Sequence, residues 1–557
     1  MTSLPLLSAP AIPVLVALLA MLPLSRQALP YATVLAPLPA LVLALSGASE
    51  HAQEIPALLL GTQLEWDTLR AGFLLFTSLL WTTAAWCAAV SLHSDVQRSR
   101  FCVLFLLAMA GNFGLILAGD IVSFYTFFSM MSLASWGLVA HDRSPFASFA
   151  GRCYITFAIV GELALFSGLT LASYTAGSLL LADVQQTELG GLSMILLAIG
   201  FGIKLGVVPL HIWLPVAHAA APAPASAVLS GAMVKAGLFG ALVILPLGMM
   251  QMPDAGIVVI VLGGVSVVLA ALIGVTQNNP KAVLAYSTVA QMGLVAMALG
   301  TGLARPETWD AVAPALALFA AHHAFAKAAL FLGVPAIGSL SRGVTRGIAI
   351  ALLALPAVTL AAAPWTSGTV AKSALKDAML DPTGLWGGAL DPALFISSVG
   401  TALLMLRFLW LMAAGTGHTA RPSAWVCAPW GTMTGLAMGG IWLAPFAAPE
   451  LPVDALSNAT PILIALGLTL GILLLVRTFG IETREVPAGE VLALFRIGAR
   501  KHMRAAPRVT QIQWFDGLPE WSFWKWSGPD YSAYSAIAVL AILVAIIAAG
   551  VISLPAV

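Results

Sequence analysis

The sequence predicts an all-α polytopic membrane protein with roughly 14–16 transmembrane helices. Of its 557 residues, 60% are hydrophobic and only 9% are charged, and the mean hydropathy is +0.96. A soluble domain carries about 25% charged residues. The apolar residues form continuous runs, whereas a membrane β-barrel alternates polar and apolar residues in segments of about ten. The composition therefore excludes a soluble globular protein and favours a bundle of spanning helices.

Charge and cysteine content exclude several functions. The formal net charge is +1, and no basic domain is present to neutralise phosphates, so we expect no nucleic-acid partner. The four cysteines are widely spaced without a CxxC pair, which argues against a disulfide scaffold, an iron–sulfur cluster or a zinc site. No Rossmann glycine fingerprint, P-loop or nucleophile elbow occurs. We therefore expect no cofactor, no metal and no independent catalysis.

Spanning helices are expected wherever about 20 mostly apolar residues follow one another. The first such stretch has no preceding basic residues and no clean cleavage site, so we expect it to be retained as a helix. The expected spans are 3–22, 31–46, 71–92, 102–119, 121–140, 153–174, 192–209, 223–247, 256–276, 283–303, 311–335, 347–364, 393–413, 429–448, 460–478 and 534–552.

The distribution of Lys and Arg predicts the orientation. Loops after odd-numbered spans contain most basic residues. Apart from Lys372 and Lys376 between spans twelve and thirteen, loops after even-numbered spans contain only Arg70 and Arg305, beside several acids. Basic loops stay in the cytoplasm. We therefore expect a multi-pass protein of the cell inner (plasma) membrane with both termini on the non-cytoplasmic side.

The segment 481–533 differs in composition from the rest of the chain. It is charged, contains four tryptophans and is interrupted by four prolines, so one long helix cannot cover it. Within it, 488–504 has the pattern of a basic amphipathic helix on the cytoplasmic surface. Two interpretations remain open, a charged tether with interfacial aromatic anchors and a docking segment for a partner.

Ionisable residues inside the predicted spans are the main functional signal, because each costs at least a few kcal/mol at mid-bilayer. They recur every one or two spans, which favours a lateral row of polar sites over one pocket. A lysine that alternates between charged and neutral forms carries a proton, and a histidine both donates and accepts. The alternative is snorkelling or pairing with carbonyls, which we favour for Arg407 and Lys376. The candidates for a proton relay are Glu162, Lys204, Lys235, His322, His323, Lys327 and Lys372.

Two spans contain a proline close to a candidate lysine. Pro209 follows Lys204, and Pro364 precedes Lys372. A proline frees backbone carbonyls at membrane depth, and paired interrupted helices indicate an inverted repeat. We expect N-terminal helices in 1–101, two five-helix repeats in 102–247 and 256–413, and C-terminal helices with the 481–533 loop in 414–557.

Three motifs resemble a known family. Residues 201–237 are FGIKLGVVPLHIWLPVAHAAAPAPASAVLSGAMVKAG, residues 280–293 are PKAVLAYSTVAQMG, and residues 322–333 are HHAFAKAALFLG. Together they resemble the proton-conducting antiporter-like subunits of respiratory complex I, Mrp antiporters and membrane-bound hydrogenases, over roughly residues 70–480. The residues around MSLASW at 131–136 and around His218 look most similar to the hydrogenase-4 and formate-hydrogenlyase branch.

The resemblance implies two inverted five-helix repeats and a proton path from cytoplasm to periplasm. It also implies roles for individual positions. Lys204 corresponds to the family's broken-helix lysine, and Lys235 corresponds to the central lysine of the next helix. His323 and Lys327 correspond to the histidine and lysine of the family's eleventh helix. Lys372 corresponds to the lysine after the second broken helix, and Glu162 corresponds to an acid on the sixth helix.

One position departs from the family pattern. The family usually carries a glutamate on its fifth helix, paired with the broken-helix lysine, whereas this chain has Ser129 there. A serine holds no negative charge that could switch Lys204 between protonation states. Three consequences are open: Glu162 substitutes for the missing acid, the pathway is altered, or the subunit no longer pumps.

These observations favour a proton-conducting subunit that couples proton movement to redox chemistry or ion exchange, with Na⁺ as an alternative ion. Its partners would be other membrane subunits and a cytoplasmic module of an NADH:quinone oxidoreductase-like or hydrogenase-like complex. Two alternatives remain, a non-pumping structural or coupling subunit and the membrane subunit of an inorganic-carbon uptake complex.

Deletion of 488–526 is predicted to weaken assembly of the complex more than it disturbs the fold, because this basic, aromatic-rich stretch faces the cytoplasmic partners. Affinity purification of the truncated protein measures the yield of assembled complex. A yield equal to that of the wild type would show that the segment is only a tether.

Overall fold

The structure is a computed structural model that describes residues 5–20, 27–47, 50–380, 387–415, 417, 424–443, 455–479 and 486–489. Ten helical stretches in this part of the chain are long and apolar enough to cross a membrane. The predicted all-α polytopic fold is therefore confirmed. The predicted span 534–552 and nearly all of the loop 481–533, including the predicted helix 488–504, lie outside the described residues except at 486–489.

Helices α1 to α12 cover the N-terminal part and the first predicted repeat. Their bounds are α1 Ser8–Leu19, α2 Leu29–Leu35, α3 Leu38–Leu45, α4 Thr68–Ser91, α5 Arg98–Leu117, α6 Ile121–Val139, α7 Pro145–Ala176, α8 Leu181–Gln185, α9 Gly191–Leu205, α10 Trp213–Ala220, α11 Ala223–Val228 and α12 Val234–Ile244. A single π-helical turn, Leu229–Met233, joins α11 to α12.

Helices α13 to α20 cover the second predicted repeat and the C-terminal part. Their bounds are α13 Pro253–Gly274, α14 Pro280–Ala304, α15 Trp309–Gly338, α16 Val344–Leu360, α17 Ser367–Met379, α18 Gly387–Ala414, α19 Ala424–Gly439 and α20 Ala455–Phe479. Short 3₁₀ turns, Pro306–Thr308 and Gly440–Leu443, precede α15 and follow α19.

A β-hairpin between α3 and α4 was not predicted. Strands β1, His51–Ile55, and β2, Thr62–Trp66, pair in antiparallel register. The backbone N–H of Gly119 donates to the carbonyl of Gln63 at 2.8 Å, so the hairpin packs on the connection between α5 and α6. This contact satisfies backbone groups that neither α5 nor α6 can pair internally.

Side-chain caps fix where several helices begin. Asp67 accepts from the N–H of Arg70 at 2.7 Å at the start of α4, and Asp120 accepts from Ser123 at 2.8 Å at the start of α6. Ser144 caps α7 in the same way, directly before Pro145 at the first helical position. Each cap satisfies an N–H that the helix leaves unpaired, worth about 1 kcal/mol.

Two helices are interrupted at the predicted prolines. Helix α9 ends at Leu205. Its cap residue, Gly206, has a φ of +73°, the left-handed conformation that glycine adopts without a Cβ penalty, and α10 starts after Pro209. Likewise Pro364 lies between α16 and α17, and Thr366 caps α17. The interruptions lie close to the candidate lysines Lys204 and Lys372 in the chain, and both lysines are buried inside the bundle.

One buried arginine ties three helices together. Arg346 on α16 is 3% exposed and donates to the carbonyls of Ile337 at 3.0 Å and Leu340 at 2.5 Å, at the end of α15. It also donates to the Met412 carbonyl on α18 at 2.6 Å. A cation at helix C-termini is favoured because the last carbonyls lack intrahelical partners.

Helices α13 and α14 approach each other at paired glycines. A Cβ added to Gly263 would lie 2.5 Å from the carbonyl oxygen of Gly293, and a Cβ added to Gly293 would lie 2.6 Å from the Gly263 carbonyl oxygen. Because the obstructing atoms belong to the backbone, no rotamer change relieves the contact. Small residues at such contacts let helices pack closely in a membrane.

Gly263→Ala is therefore predicted to destabilise the protein by about 1–3 kcal/mol, since it forces α13 away from α14. The adjacent Gly264→Ala is the matched control, because a Cβ there meets nothing within 4 Å. Thermal denaturation followed by size-exclusion chromatography in detergent measures the difference. Equal melting temperatures for the two variants would contradict the close approach.

Candidate functional site

The first candidate lysine lies at the interruption of α9. Lys204 is in the last turn of that helix and is 8% exposed. Its Nζ donates to Ser132 Oγ on α6 at 2.7 Å and lies 4.9 Å from the centroid of the Phe128 ring. The amine is thus held by a neutral hydroxyl and an aromatic face, not by a carboxylate.

The candidate acid lies in the same small cavity. Glu162 on α7 is 8% exposed, and its Oε2 accepts a hydrogen bond from Ser129 Oγ on α6. Its Oε1 is buried without a hydrogen-bond partner among the described residues. The cavity is lined in part by Phe128, Ser132, Tyr154, Glu162, Lys204 and Trp213. Glu162 therefore contacts Ser129, the position at which the resemblance predicts a glutamate.

Side chains from neighbouring elements stabilise the interrupted helix. The indole Nε1 of Trp213 donates to the carbonyl of Ile203 at 2.9 Å, in the last turn of α9. The backbone N–H of Val208 donates to Ser266 Oγ at 2.9 Å. These bonds fix the end of α9 and with it the position of Lys204.

The second cluster joins α12 to α15. Lys235 is 1% exposed, and its Nζ lies 2.5 Å from both the Ser230 carbonyl oxygen and Nδ1 of His323. Ser230 belongs to the π-helical turn, which shifts the carbonyl pattern by one residue, and such turns recur at functional sites. The Nε2 atom of His323 is buried without a partner in the described part of the chain.

Lys327 continues this cluster along α15. It lies one turn after His323 on the same helical face and is fully buried. Its Nζ donates to the carbonyl of Leu284 on α14 at 2.7 Å. Lys327 also lies within electrostatic range of Lys235. Three titratable side chains therefore share this region, and no acid among the described residues lies within electrostatic range of them.

The third cluster lies at the second interruption. Nδ1 of His322 is 3.3 Å from Ser367 Oγ, at the start of α17. Lys372 is 8% exposed, and its Nζ has no hydrogen-bond partner among the residues described. His322 lies within electrostatic range of both Lys235 and Lys372, so it connects the second cluster with the third.

The first cluster, which comprises Glu162 and Lys204, also adjoins the second cluster. Gly237 lies one half-turn after Lys235 on α12, and a Cβ added to it would be 3.0 Å from Cβ of Lys204. Helices α9 and α12 are therefore in direct contact between the two lysines. The structure places the seven candidate residues in three adjoining groups that run laterally through the bundle.

Arg407 and Lys376 make the structural contacts expected of them. Arg407 donates to the Gln277 carbonyl at 3.0 Å and to Asn278 Oδ1 at 2.8 Å. Lys376 pairs with Asp391 at 2.7 Å, and both side chains are largely exposed. Neither residue joins the buried row.

Three polar groups near the site were not among the predicted relay residues. Ser132, the Ser230 carbonyl and His218 are buried beside the predicted lysines. Serines are common in membrane helices and a carbonyl has no side-chain identity, so sequence alone gives no reason to choose them. His218 lies inside the first family motif, and its position there was the available signal.

The fold is that of a polytopic membrane protein with a row of buried lysines and histidines inside the bundle. Residues 118–375, less than half of the chain, match the family described as NADH:quinone oxidoreductase/Mrp antiporter, TM. The resemblance predicted from the three motifs is confirmed.

Curated relatives come from several kinds of complex. The chain is 32% identical to hydrogenase-4 component B of Escherichia coli over 49% of this chain and 43% of that protein. It is 31% identical to NAD(P)H-quinone oxidoreductase chain 4 2 of Thermosynechococcus vestitus over 44% of this chain and 47% of that protein. The chain thus spans less than half the length of either relative.

A solved structure shares the fold. A chain of the Mrp complex from Dietzia sp. DQ12-45-1b superposes with a TM-score of 0.71 and 21% identity, covering 99% of this chain and 63% of that one. At this identity the similarity shows the fold alone.

Proposed function

We propose that the protein is a proton-conducting, antiporter-like subunit of a multi-subunit membrane complex. The observation that carries the proposal is the contact between Lys235 and His323, whose nitrogens lie 2.5 Å apart in a fully buried site. An ammonium and an imidazolium are both donors only, so at least one of the pair must be neutral. The two residues therefore titrate as a unit that holds a proton at mid-membrane.

The geometry supports a proton transfer within this pair. When Lys235 is an ammonium, it donates to Nδ1 of neutral His323, and transfer produces a neutral amine and an imidazolium. The opposite nitrogen, Nε2, has no partner among the described residues, so it is free to pass its proton to the next acceptor of the path. Each transfer breaks one bond to hydrogen and forms another, and the second transfer requires that acceptor. Imidazole supports such relays because its nitrogens lie on opposite edges.

We propose that the proton path runs through the whole row and that Glu162 is the acid that switches Lys204 between its protonation states. Lys204 lies within electrostatic range of Glu162, and the two side chains line one cavity. At an effective dielectric constant of about 20, unit charges about 4 Å apart interact by about 4 kcal/mol, enough to change the occupancy of a lysine by orders of magnitude. The proposed relay comprises Glu162, Lys204, Lys235, His322, His323, Lys327 and Lys372.

The relatives support a place in a larger complex. Their names identify a hydrogenase-4 component, a quinone oxidoreductase chain and an Mrp complex. We propose that this chain likewise binds other membrane subunits and a cytoplasmic module in the inner membrane, with both termini on the non-cytoplasmic side. The repeats 102–247 and 256–413 would each supply one interrupted helix and half of the path.

One observation favours a second function, that of a non-pumping structural or coupling subunit. Ser129 replaces the family's glutamate, and Lys204 bonds to the neutral Ser132. Without a charged partner close to this lysine, the fold would still anchor neighbouring subunits while the first half of the path stayed inactive. The two functions make opposite predictions for the variants below.

Lys204→Ala and Lys235→Ala are each predicted to abolish ion transport while the complex still assembles, because each removes a titratable group and leaves a gap too wide for proton transfer. The measurement is proton uptake by proteoliposomes that contain the complex. Lys376→Ala is the matched control, since that lysine is exposed and paired with Asp391. Wild-type transport in both relay variants would refute the relay.

Glu162→Gln is predicted to stop transport, because glutamine cannot supply the negative charge that switches Lys204. Adding Ser129→Glu is predicted to restore part of the activity, since Ser129 Oγ already contacts the Glu162 carboxylate and a glutamate there would place a charge in the same cavity. The exposed Glu188→Gln serves as control. Normal transport by Glu162→Gln would instead support the second function, that of a non-pumping structural or coupling subunit.

A further inference from the structure

Two neighbouring connections, which the basic loops predict to face the cytoplasm, bring two arginines together. Arg100 is in the first turn of α5, and Arg143 is in the connection between α6 and α7. The two guanidinium groups lie within electrostatic range of each other, Arg100 partly exposed and Arg143 exposed. Like charges held close together destabilise each other unless an opposite charge lies near both.

One acid lies close to this arginine pair, but it is already bound. Asp95, in the connection between α4 and α5, lies within electrostatic range of Arg100. Its Oδ1 accepts from the backbone N–H of Gln97 at 2.6 Å, and its Oδ2 lies 2.9 Å from Nε2 of the buried His141. These bonds tie the two connections to each other. The arginine pair is thus held in place without a carboxylate of its own among the described residues.

The backbone at Arg143 adds a second observation. Its φ is +53°, in the left-handed region that glycine adopts more readily than a residue with a Cβ. The Arg143 guanidinium makes no hydrogen bond to the described residues, and that of Arg100 makes one, to Oε1 of Gln97 at 2.8 Å. An arginine in a strained position with its donors open indicates that the side chain itself is used.

Exposed apolar side chains flank the arginine pair. Val96, four residues before Arg100, is 100% exposed, and Phe146, three residues after Arg143, is 48% exposed. Helix α7 continues from Phe146 into the bundle with a further exposed apolar residue, Leu163. A ligand that fits this surface carries a negative charge next to an apolar part. An anionic phospholipid has this chemistry, and such lipids give the cytoplasmic leaflet its negative surface potential.

We propose that Arg100 and Arg143 bind the phosphate headgroup of an anionic phospholipid in the cytoplasmic leaflet. Arginine matches phosphate oxygens with parallel N–H donors, and the phosphate neutralises the repulsion within the pair. The acyl chains then lie against Phe146 and the outer face of α7. The inference goes beyond the proposed function and does not depend on it, because neither arginine belongs to the relay.

Three substitutions test the site. Arg143→Gly removes the side chain and suits the left-handed backbone, so it separates lipid binding from folding. Arg100→Gln removes the other charge. Arg98→Gln is the matched control, because Arg98 is a neighbouring arginine of the first turn of α5 whose guanidinium donates to the His93 carbonyl at 3.2 Å.

Native mass spectrometry of the full-length protein in detergent, together with its co-purified subunits, counts the molecules of dioleoylphosphatidylglycerol that stay bound. Arg143→Gly and Arg100→Gln are each expected to retain one molecule fewer than the wild type, and Arg98→Gln the same number. Dioleoylphosphatidylcholine, which has no net charge, is expected to be retained equally by all four proteins. Without added lipid, Arg143→Gly is expected to melt no lower than the wild type, because its backbone strain is relieved.

Equal retention of phosphatidylglycerol by all four proteins would overturn the inference. A lower melting temperature of Arg143→Gly without lipid would do the same, because Arg143 would then hold the connection and not the lipid. Displacement of the bound lipid by millimolar sodium phosphate would assign the arginine pair to a soluble phosphate. Unchanged lipid retention with loss of a co-purified subunit would assign it to an acidic protein surface.

Discussion

A polar group inside the bundle gains no hydrogen bond from the surrounding lipid, so its partners have to come from within the bundle. At the interruption of α9, the indole of Trp213 adds a hydrogen bond to the Ile203 carbonyl in the last turn of the helix. The buried amines obey the same constraint, and Lys235 and Lys327 bind the carbonyls of Ser230 and Leu284. The buried amines thus take backbone carbonyls as acceptors, at the π-helical turn for Lys235 and within α14 for Lys327.

This arrangement determines the chemistry of the site. Lysines bound to carbonyls and hydroxyls are not fixed in salt bridges, so losing a proton does not leave a buried carboxylate uncompensated. The surface pair of Lys376 and Asp391 shows the contrasting arrangement, in which opposite charges hold each other. A row of amines with neutral partners is suited to moving protons, whereas a row of ion pairs would mainly stabilise the fold.

The sequence predicted the parts that depend on long patterns or on charge. Long apolar runs identified the spanning helices, and Pro209 and Pro364 identified the interruptions. The hairpin of β1 and β2 was missed because two five-residue strands carry little periodic signal. The partners of the lysines were missed for another reason. Ser132 is far from Lys204 in the chain, and an uncharged hydroxyl or carbonyl gives no sign of the amine it will meet.

The resemblance predicts an acid where this chain has Ser129, and the structure places another acid beside that serine. The Ser129 hydroxyl donates to Glu162, so the carboxyl group on α7 reaches the face of α6 on which the resemblance predicts a glutamate. Ser132, one turn further along α6, accepts from Lys204. Acid and amine therefore line one cavity, but each is bound by its own serine.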